Sequence, residues 1–320
     1  MQPSTRARVG LARGVNRRET VHHSLELVAD DIIAKLQPQL LIKPNFLSSS
    51  NQLASSHADA VRGILDFLAT VPNPPQEIII AEGANEKYSG ESFDNFNYRE
   101  VAQESPIPMR LVDLHQETEW EEITIVLADR TETTVKMPKI VLDCPCTLSL
   151  AVAKTHDVCV VTLALKNMIM GTLHKPDRIK MHGFRSHAER VLPAEAQVLN
   201  VNLIRLARFL APDISVIDGV QGLQGNGPGG TDAVDLRLVA AGVDVFAADA
   251  VVAKAMGFEP LDLGLLHYGN DLGLGVADLA RIDVLETSVA DVTQRFKPHD
   301  KTALQMQWQA DAPLLAYLAA

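Results

Sequence analysis

Short apolar runs alternating with a helical repeat constrain this chain most. Leu40-Leu41-Ile42 is an apolar run that ends in Lys43-Pro44-Asn45. Ile78-Ile79-Ile80 is another, ending in Glu82-Gly83. Between them Val61, Ile64, Leu65 and Leu68 recur at helical spacing. The spacing predicts strands over Gln39–Lys43 and Glu77–Ala81. Pro44 cannot donate to a ladder, so the first should stop there. Ser48–Ser56 reads as a polar loop. Ser56 with Asp59 reads as a capping box opening the helix, and the Pro72–Pro75 stretch ends it. A strand, a helix and a second strand in this order imply a parallel sheet with a right-handed crossover.

The same reading extends along the chain. Arg8–Leu11 is a short first strand, and Leu25, Val28, Ile32 and Leu36 predict a helix over Ser24–Leu36. Tyr88–Asn97 reads as a surface loop and Met109–Leu114 as a strand. Ile123–Leu127 and Thr133–Met137 alternate around Asp129-Arg130-Thr131, a β-hairpin. Further elements are a helix over Glu195–Leu210 and strands over Ile214–Ile217 and Leu236–Ala240. A helix over Val245–Met256 follows, with Asp244 as N-cap and Gly257 as its end. Ile282–Glu286 reads as a late strand and Trp308–Leu318 as a C-terminal helix. The expected fold is α/β, with two lobes on mainly parallel sheets, flanking helices and a hairpin insertion. Residues 1–145 form the first lobe and residues 146–320 the second.

Bulk properties narrow the class. A net charge of −11 over 320 residues argues against a nucleic-acid partner, which needs a basic footprint. No apolar run reaches bilayer length, and Met1–Gly14 lacks the apolar core of a signal peptide. These features predict a cytoplasmic protein with no membrane partner. Three cysteines, Cys144, Cys146 and Cys159, give no even disulfide framework.

The chemistry concentrates in Ala151–Lys175. One apolar run ends in Lys154-Thr155-His156, and the next, Val158–Leu165, ends in Lys166-Asn167. Lysine is almost never fully buried unless paired, so two lysines bracketing core segments predict a ligand cleft. Ligands of open α/β sheets bind beyond the carboxyl ends of strands, where Lys43, Asn45 and Glu82 fall. Ser56 and His57 open a helix, whose free N–H groups favour an anion. After Asp218-Gly219, the Gly225-Asn226-Gly227 loop with Gly229 and Gly230 permits close backbone approach and an anion nest. It lacks the lysine of a P-loop and the spacing of a dinucleotide fingerprint. Asp249, in an apolar helix, is either paired or catalytic. Cys144-Pro145-Cys146 and His156, His174, His182 and His187 leave room for a divalent metal, although none has metalloprotease helix spacing.

Taken together, these motifs resemble a known family. The Lys43-Pro44-Asn45, Ser56-His57, Lys154-Thr155-His156, Thr162, Lys166-Asn167 and Gly171 positions follow its order. So do Asp218-Gly219, Gly225-Asn226-Gly227-Pro228, Ala241-Gly242 with Asp244, Ala248-Asp249-Ala250 and Met256-Gly257. The pattern resembles the domain of unknown function 362 family over roughly residues 40 to 260. Ala58 stands where the family often carries proline. The resemblance implies a layout similar to lactate-racemase-type proteins, with a Lys- and His-lined cleft. Many family members are joined to ferredoxin-type iron–sulfur modules; three cysteines cannot supply such a cluster here, so none of its own is expected.

The resulting expectation is an enzyme for a small anionic molecule. Lys154, His156, Lys166 and Asp218 are the catalytic candidates, His156 as acid/base. Lys43, Asn45, Ser56, His57, Glu82, Asn167, Gly225, Asn226 and Gly227 are the ligand-binding candidates. The alternative is a non-catalytic metal- or ligand-binding protein that partners an iron–sulfur protein.

Overall fold

The computed structural model describes residues 6–85 and 89–318. The first five residues of the Met1–Gly14 segment, and Tyr88 of the expected loop, lie outside them. The strands are β1 (Ala7–Arg13), β2 (Gln39–Lys43), β3 (Glu77–Glu82), β4 (Met109–Asp113), β5 (Trp120–Val126), β6 (Glu132–Pro138), β7 (Thr147–Thr155), β8 (Val161–Thr162), β9 (Ile214–Leu223), β10 (Ala233–Val234), β11 (Leu238–Gly242) and β12 (Ile282–Glu286). Among the described residues, one sheet runs β12-β1-β11-β9-β7-β2-β3-β4, with β8 on β7 and β10 on β9. Neighbours from β9 to β4 are parallel, whereas β11 is antiparallel to both β1 and β9. The hairpin β5–β6 stands apart, with Ile123 opposite Val135 and Arg130 in a left-handed turn.

Alternation along the strands explains the packing. Leu41, Ile79, Ala151 and Ile217 face one apolar layer, and Leu40, Ile42, Ile78, Leu150 and Val216 face the other. Helices cover both sides, which is why the central strands carry apolar residues in unbroken runs. The sheet's hydrogen bonding is continuous across residues 145 and 146, because β7 pairs with β2 in the register Leu41–Thr147.

Several local expectations are corrected. The Ser24–Leu36 helix is two helices, Arg17–Glu26 and Ala29–Ile33. Asn16 caps the first by accepting from the Glu19 N–H at 3.4 Å, so it begins in a polar stretch with no apolar period. The described part of the Tyr88–Asn97 loop contains the helix Ser89–Asn95. There Phe93 packs edge-on against Phe46, which also meets Tyr98. Trp308–Leu318 is not one helix; only Ala312–Leu315 is α-helical, and Trp308 is anchored by its indole N–H to the Asp262 carbonyl.

Candidate functional site

A cavity of about 980 Å³ opens beyond the carboxyl ends of β2, β3 and β7, the place that open α/β sheets use for ligands. Of the catalytic and ligand-binding candidates, Asn45, Glu82, Lys154, His156, Lys166 and Asn167 line it, as do Thr162, Gly171 and the histidines His174, His182 and His187. Lys43 lies directly beneath.

The floor is a closed polar network. Lys43 is 0% exposed, pairs with the Glu82 carboxylate, and donates to Asn167 Oδ1 (2.8 Å) and the Pro44 carbonyl (2.6 Å). Asn167 returns its own N–H groups to the Lys43 carbonyl (3.2 Å) and Ser149 Oγ (3.0 Å). Burial draws Lys43 down and Glu82 up toward their neutral forms, and their mutual attraction opposes both shifts. Above this network, a Cβ at Gly171 would meet the end of the Lys43 side chain, so a larger residue there would push on the Lys43–Glu82 pair.

Lys154 differs from Lys43. It is 1% exposed, yet its ammonium donates only to Asn45 Oδ1 and to the Ala54 carbonyl (2.8 Å). Among the described residues it makes no ion pair with a carboxylate. Burial, then the Lys166 and Lys43 cations, lower its pKa from 10.5 to about 7. Burial and the neighbouring cations thus draw Lys154 toward its neutral amine.

Lys166 sits in the first turn of the helix Ala164–Thr172, beside the Cys159 thiol. Asp249 holds that turn from the neighbouring helix, accepting from the Ala164 N–H (2.8 Å) and the Leu165 N–H (3.2 Å). Asp249 is thus paired, and it acts as a cap. Burial raises its pKa from 3.8 to about 7.

Buried His156 and partly buried His182 have opposite tautomers. His156 Nδ1 accepts from the Val158 N–H at 2.9 Å, which places its proton on Nε2. Asp157 Oδ1 is 3.1 Å from the same nitrogen, but a main-chain N–H cannot face a second N–H, so acceptance from Val158 governs. Burial, then Lys166, His182, Lys154 and Arg190, push His156 well below the usual imidazole range. His156 is therefore a neutral donor, not the near-neutral acid/base expected from its type. His182 Nδ1 lies 2.6 Å from Glu195 Oε1 and donates to it, leaving Nε2 as an acceptor. Arg190 ties this group together, reaching Glu195 Oε1 (2.5 Å) and Asp157 Oδ2 (2.9 Å).

Charge on the cavity wall is one-sided. Lys154, Lys166, Lys175, Arg178 and Arg190 line it against the carboxylates Glu82 and Asp157. The sequence reading missed Arg178, Arg190, Glu195 and His115. Arg178 donates to the carbonyls of Gly83, Gly171 (3.1 Å) and Leu173 (3.1 Å), so it fastens the wall. For Arg178 and Arg190 the sequence signal was a run of basic and histidine residues from one to the other with no apolar period; His115 and Glu195 lie outside it.

Other candidates lie elsewhere. Asp218 shares the sheet face of Val216, opposite the Ala164–Thr172 helix, and binds Arg17 Nε (2.5 Å) and the Val220 N–H (3.0 Å). It is not at the cavity. Ser56 does not cap the helix; its hydroxyl donates to the Leu150 carbonyl (2.8 Å) and accepts from the Asn45 N–H (2.9 Å). His57 is the cap, accepting from the Asp59 N–H at 3.0 Å. Gly225, Asn226 and Gly227 do not line the cavity either. Asn226 is tied to Asp300 (2.8 Å), and a Cβ at Gly227 would collide with the Thr155 carbonyl. Pro228 alone brings the loop to the cavity rim. Among the described residues no three His, Cys, Asp or Glu side chains gather closely enough to hold a metal ion. Burial raises the Cys146 thiol to about 12 and Cys159 to about 11. No helix among the described residues is long and apolar enough to cross a membrane.

Known proteins resemble this chain in part. A thylakoid-associated protein of Synechocystis sp. is 27% identical over 140 residues, which is 44% of this chain and 41% of that protein. The lactate racemase apoprotein of Thermoanaerobacterium thermosaccharolyticum superposes with a TM-score of 0.47 at 12% identity, covering 78% of this chain and 58% of that one. Residues 40–254, which carry β2, β3, β7 and the whole polar floor of the cavity, match the family described as Domain of unknown function (DUF362), and the chain belongs to that family.

Proposed function

We propose that the cavity is the active site of an enzyme acting on a small anionic substrate. One observation carries the reading: Lys154 is buried at the cavity without a carboxylate partner, and its pKa falls to about 7. A lysine in that state can accept a proton near neutral pH. Lys166 supplies attraction for the anion, Asn45 and Asn167 fix the lysines, and His156 offers a neutral N–H donor. His182, oriented by Glu195, is a second proton acceptor at the same cavity. The buried, unpaired cysteines Cys144, Cys146 and Cys159 suit a reducing compartment, so this reading places the enzyme in the cytoplasm.

The test is a thermal-shift screen of small anionic metabolites on the parent, Lys166→Met and Lys154→Met, followed by turnover of every hit. Some hits should be transformed by the parent. Lys166→Met should weaken binding about tenfold or more, as expected for a lost charged hydrogen bond. Lys154→Met should bind but turn over about a hundredfold more slowly. If the parent binds an anion and never transforms it, the protein is a non-catalytic binder, and pull-down of an iron–sulfur partner becomes the next measurement. If no anion stabilises the parent, the cavity reading is wrong.

A further inference from the structure

The hydroxyl of Thr162 has no role in the network described so far. β7 and β8 are antiparallel with Lys154 opposite Thr162, so the two side chains stand on the same face. Thr162 is 6% exposed and lines the cavity, and its Oγ1 has no hydrogen-bond partner among the described residues. A buried hydroxyl left unpaired is unfavourable, and native folds rarely keep one without use. Lys166 is four residues further along the chain, and its cation acts on both His156 and Lys154. The His156 Nε2–H is the remaining neutral donor at this end.

The usual cradles for a phosphate are closed here. Phosphate sites draw on helix N-termini and on successive main-chain N–H groups of glycine-rich loops. The first turn of the Ala164–Thr172 helix is already occupied by Asp249, which accepts from its Ala164 and Leu165 N–H groups. In the glycine-rich loop the Gly225 N–H binds the Lys297 carbonyl (2.8 Å) and the Gly227 N–H binds the Gly225 carbonyl (2.8 Å). The residue that reaches the cavity is Pro228, which has no N–H. At the β8 end of the cavity, Thr162, Lys166 and His156 offer single, directional donors, with Lys154, Lys175, Arg178 and Arg190 elsewhere on the wall.

We propose that the anionic group bound in this cavity is a carboxylate, held by the Thr162 hydroxyl, the Lys166 ammonium and the Nε2–H of His156. The proposal rests on the cavity being an anion site and narrows its substrates to small carboxylic acids. Thr162 is then a specificity residue whose hydroxyl is unpaired until substrate arrives.

Two opposite readouts test this. With acetate, malonate and succinate as probes against inorganic phosphate and glycerol phosphate, calorimetric titration of the full chain should show binding of carboxylates and not of phosphates. Thr162→Val removes the unpaired hydroxyl, so it should raise the melting temperature while weakening carboxylate binding about tenfold. Thr162→Ser keeps the hydroxyl and should retain parental affinity. A merely structural Thr162 gives unchanged binding in Thr162→Val, which overturns the proposal. Phosphate binding in place of carboxylate binding also overturns it, yet leaves the anion cavity standing. Absence of any anion binding to the parent removes the cavity reading itself. Should Thr162→Val fail to fold, the parent's preference between carboxylates and phosphates decides alone.

Discussion

At the scale of single residues, Lys43 and Lys154 show two ways of burying an ammonium. Lys43 has a carboxylate, and Lys154 has two neutral oxygens. Removing one partner of the first pair leaves the other charge buried and alone. Lys43→Met or Glu82→Gln should each cost about 3–5 kcal/mol in urea denaturation, and the double variant Lys43→Met/Glu82→Leu should recover much of that loss. Lys154 gives a pH signature. Its folded-state pKa is about 7 against 10.5 for the ordinary side chain, so between those values the unfolded chain binds more protons than the folded one. Stability from this group therefore rises with pH from about 7 and is complete only above about 11. At about 1.4 kcal/mol per unit the gain is on the order of a few kcal/mol. Stability measured against pH should climb less steeply in Lys154→Met than in the parent over that window, and parallel curves would show that Lys154 is not shifted. These residues were legible because each is a polar group ending an apolar run. Asp218 carries the same signal and lies on the wrong face. Position at a strand's end is visible in a sequence, but the face is set by alternation. A register shift between Val152 and Lys154 disturbs the alternation where it matters most.

At the scale of elements, the apolar run Val158–Leu165 conceals a break. Val160 adopts φ +66°, a left-handed conformation uncommon for a β-branched residue, and the chain then forms β8 and the helix Ala164–Thr172. Nothing in a run of valine, cysteine and leucine announces that turn. The helix carries Lys166 and Asn167, and Asp249 fixes its start from 85 positions away in the sequence. Asp249→Ala should lower stability by about 2 kcal/mol, from two buried N–H groups left unpaired. Hydrogen exchange at Ala164 and Leu165 should quicken, and binding at Lys166 should weaken with it. Unchanged protection at those amides would show that the cap is dispensable. The Asp244 cap and the Gly257 end were readable because their partners are local: Asp244 accepts from the Ala247 N–H at 3.1 Å, and Gly257 has φ +90°.

At the scale of the molecule, a chain of net charge −11 gathers five cations around one cavity. Sequence totals cannot show such segregation, since it depends on which strands lie side by side. The parallel run of β2, β3 and β4 followed from local alternation. The place of β1 did not, because its neighbours come from the far end of the chain: Val9 pairs with Gly242 on one side and with Val284 on the other.

That arrangement has a consequence for biosynthesis. On the ribosome β1 emerges well before its pairing partners, since β11 and then β12 are made later. At about 5–20 residues per second, the wait for β11 alone is roughly ten to fifty seconds. Meanwhile β2, β3 and β4 can pair as they appear, and β7 can join them. During the wait Val9, Leu11 and Ala12, which are buried in the finished protein, belong to a strand with both edges open. A strand made before β2, β3 and β4 is therefore secured after them. Until translation reaches Gly242, β1 is a strand open to mispairing at both edges.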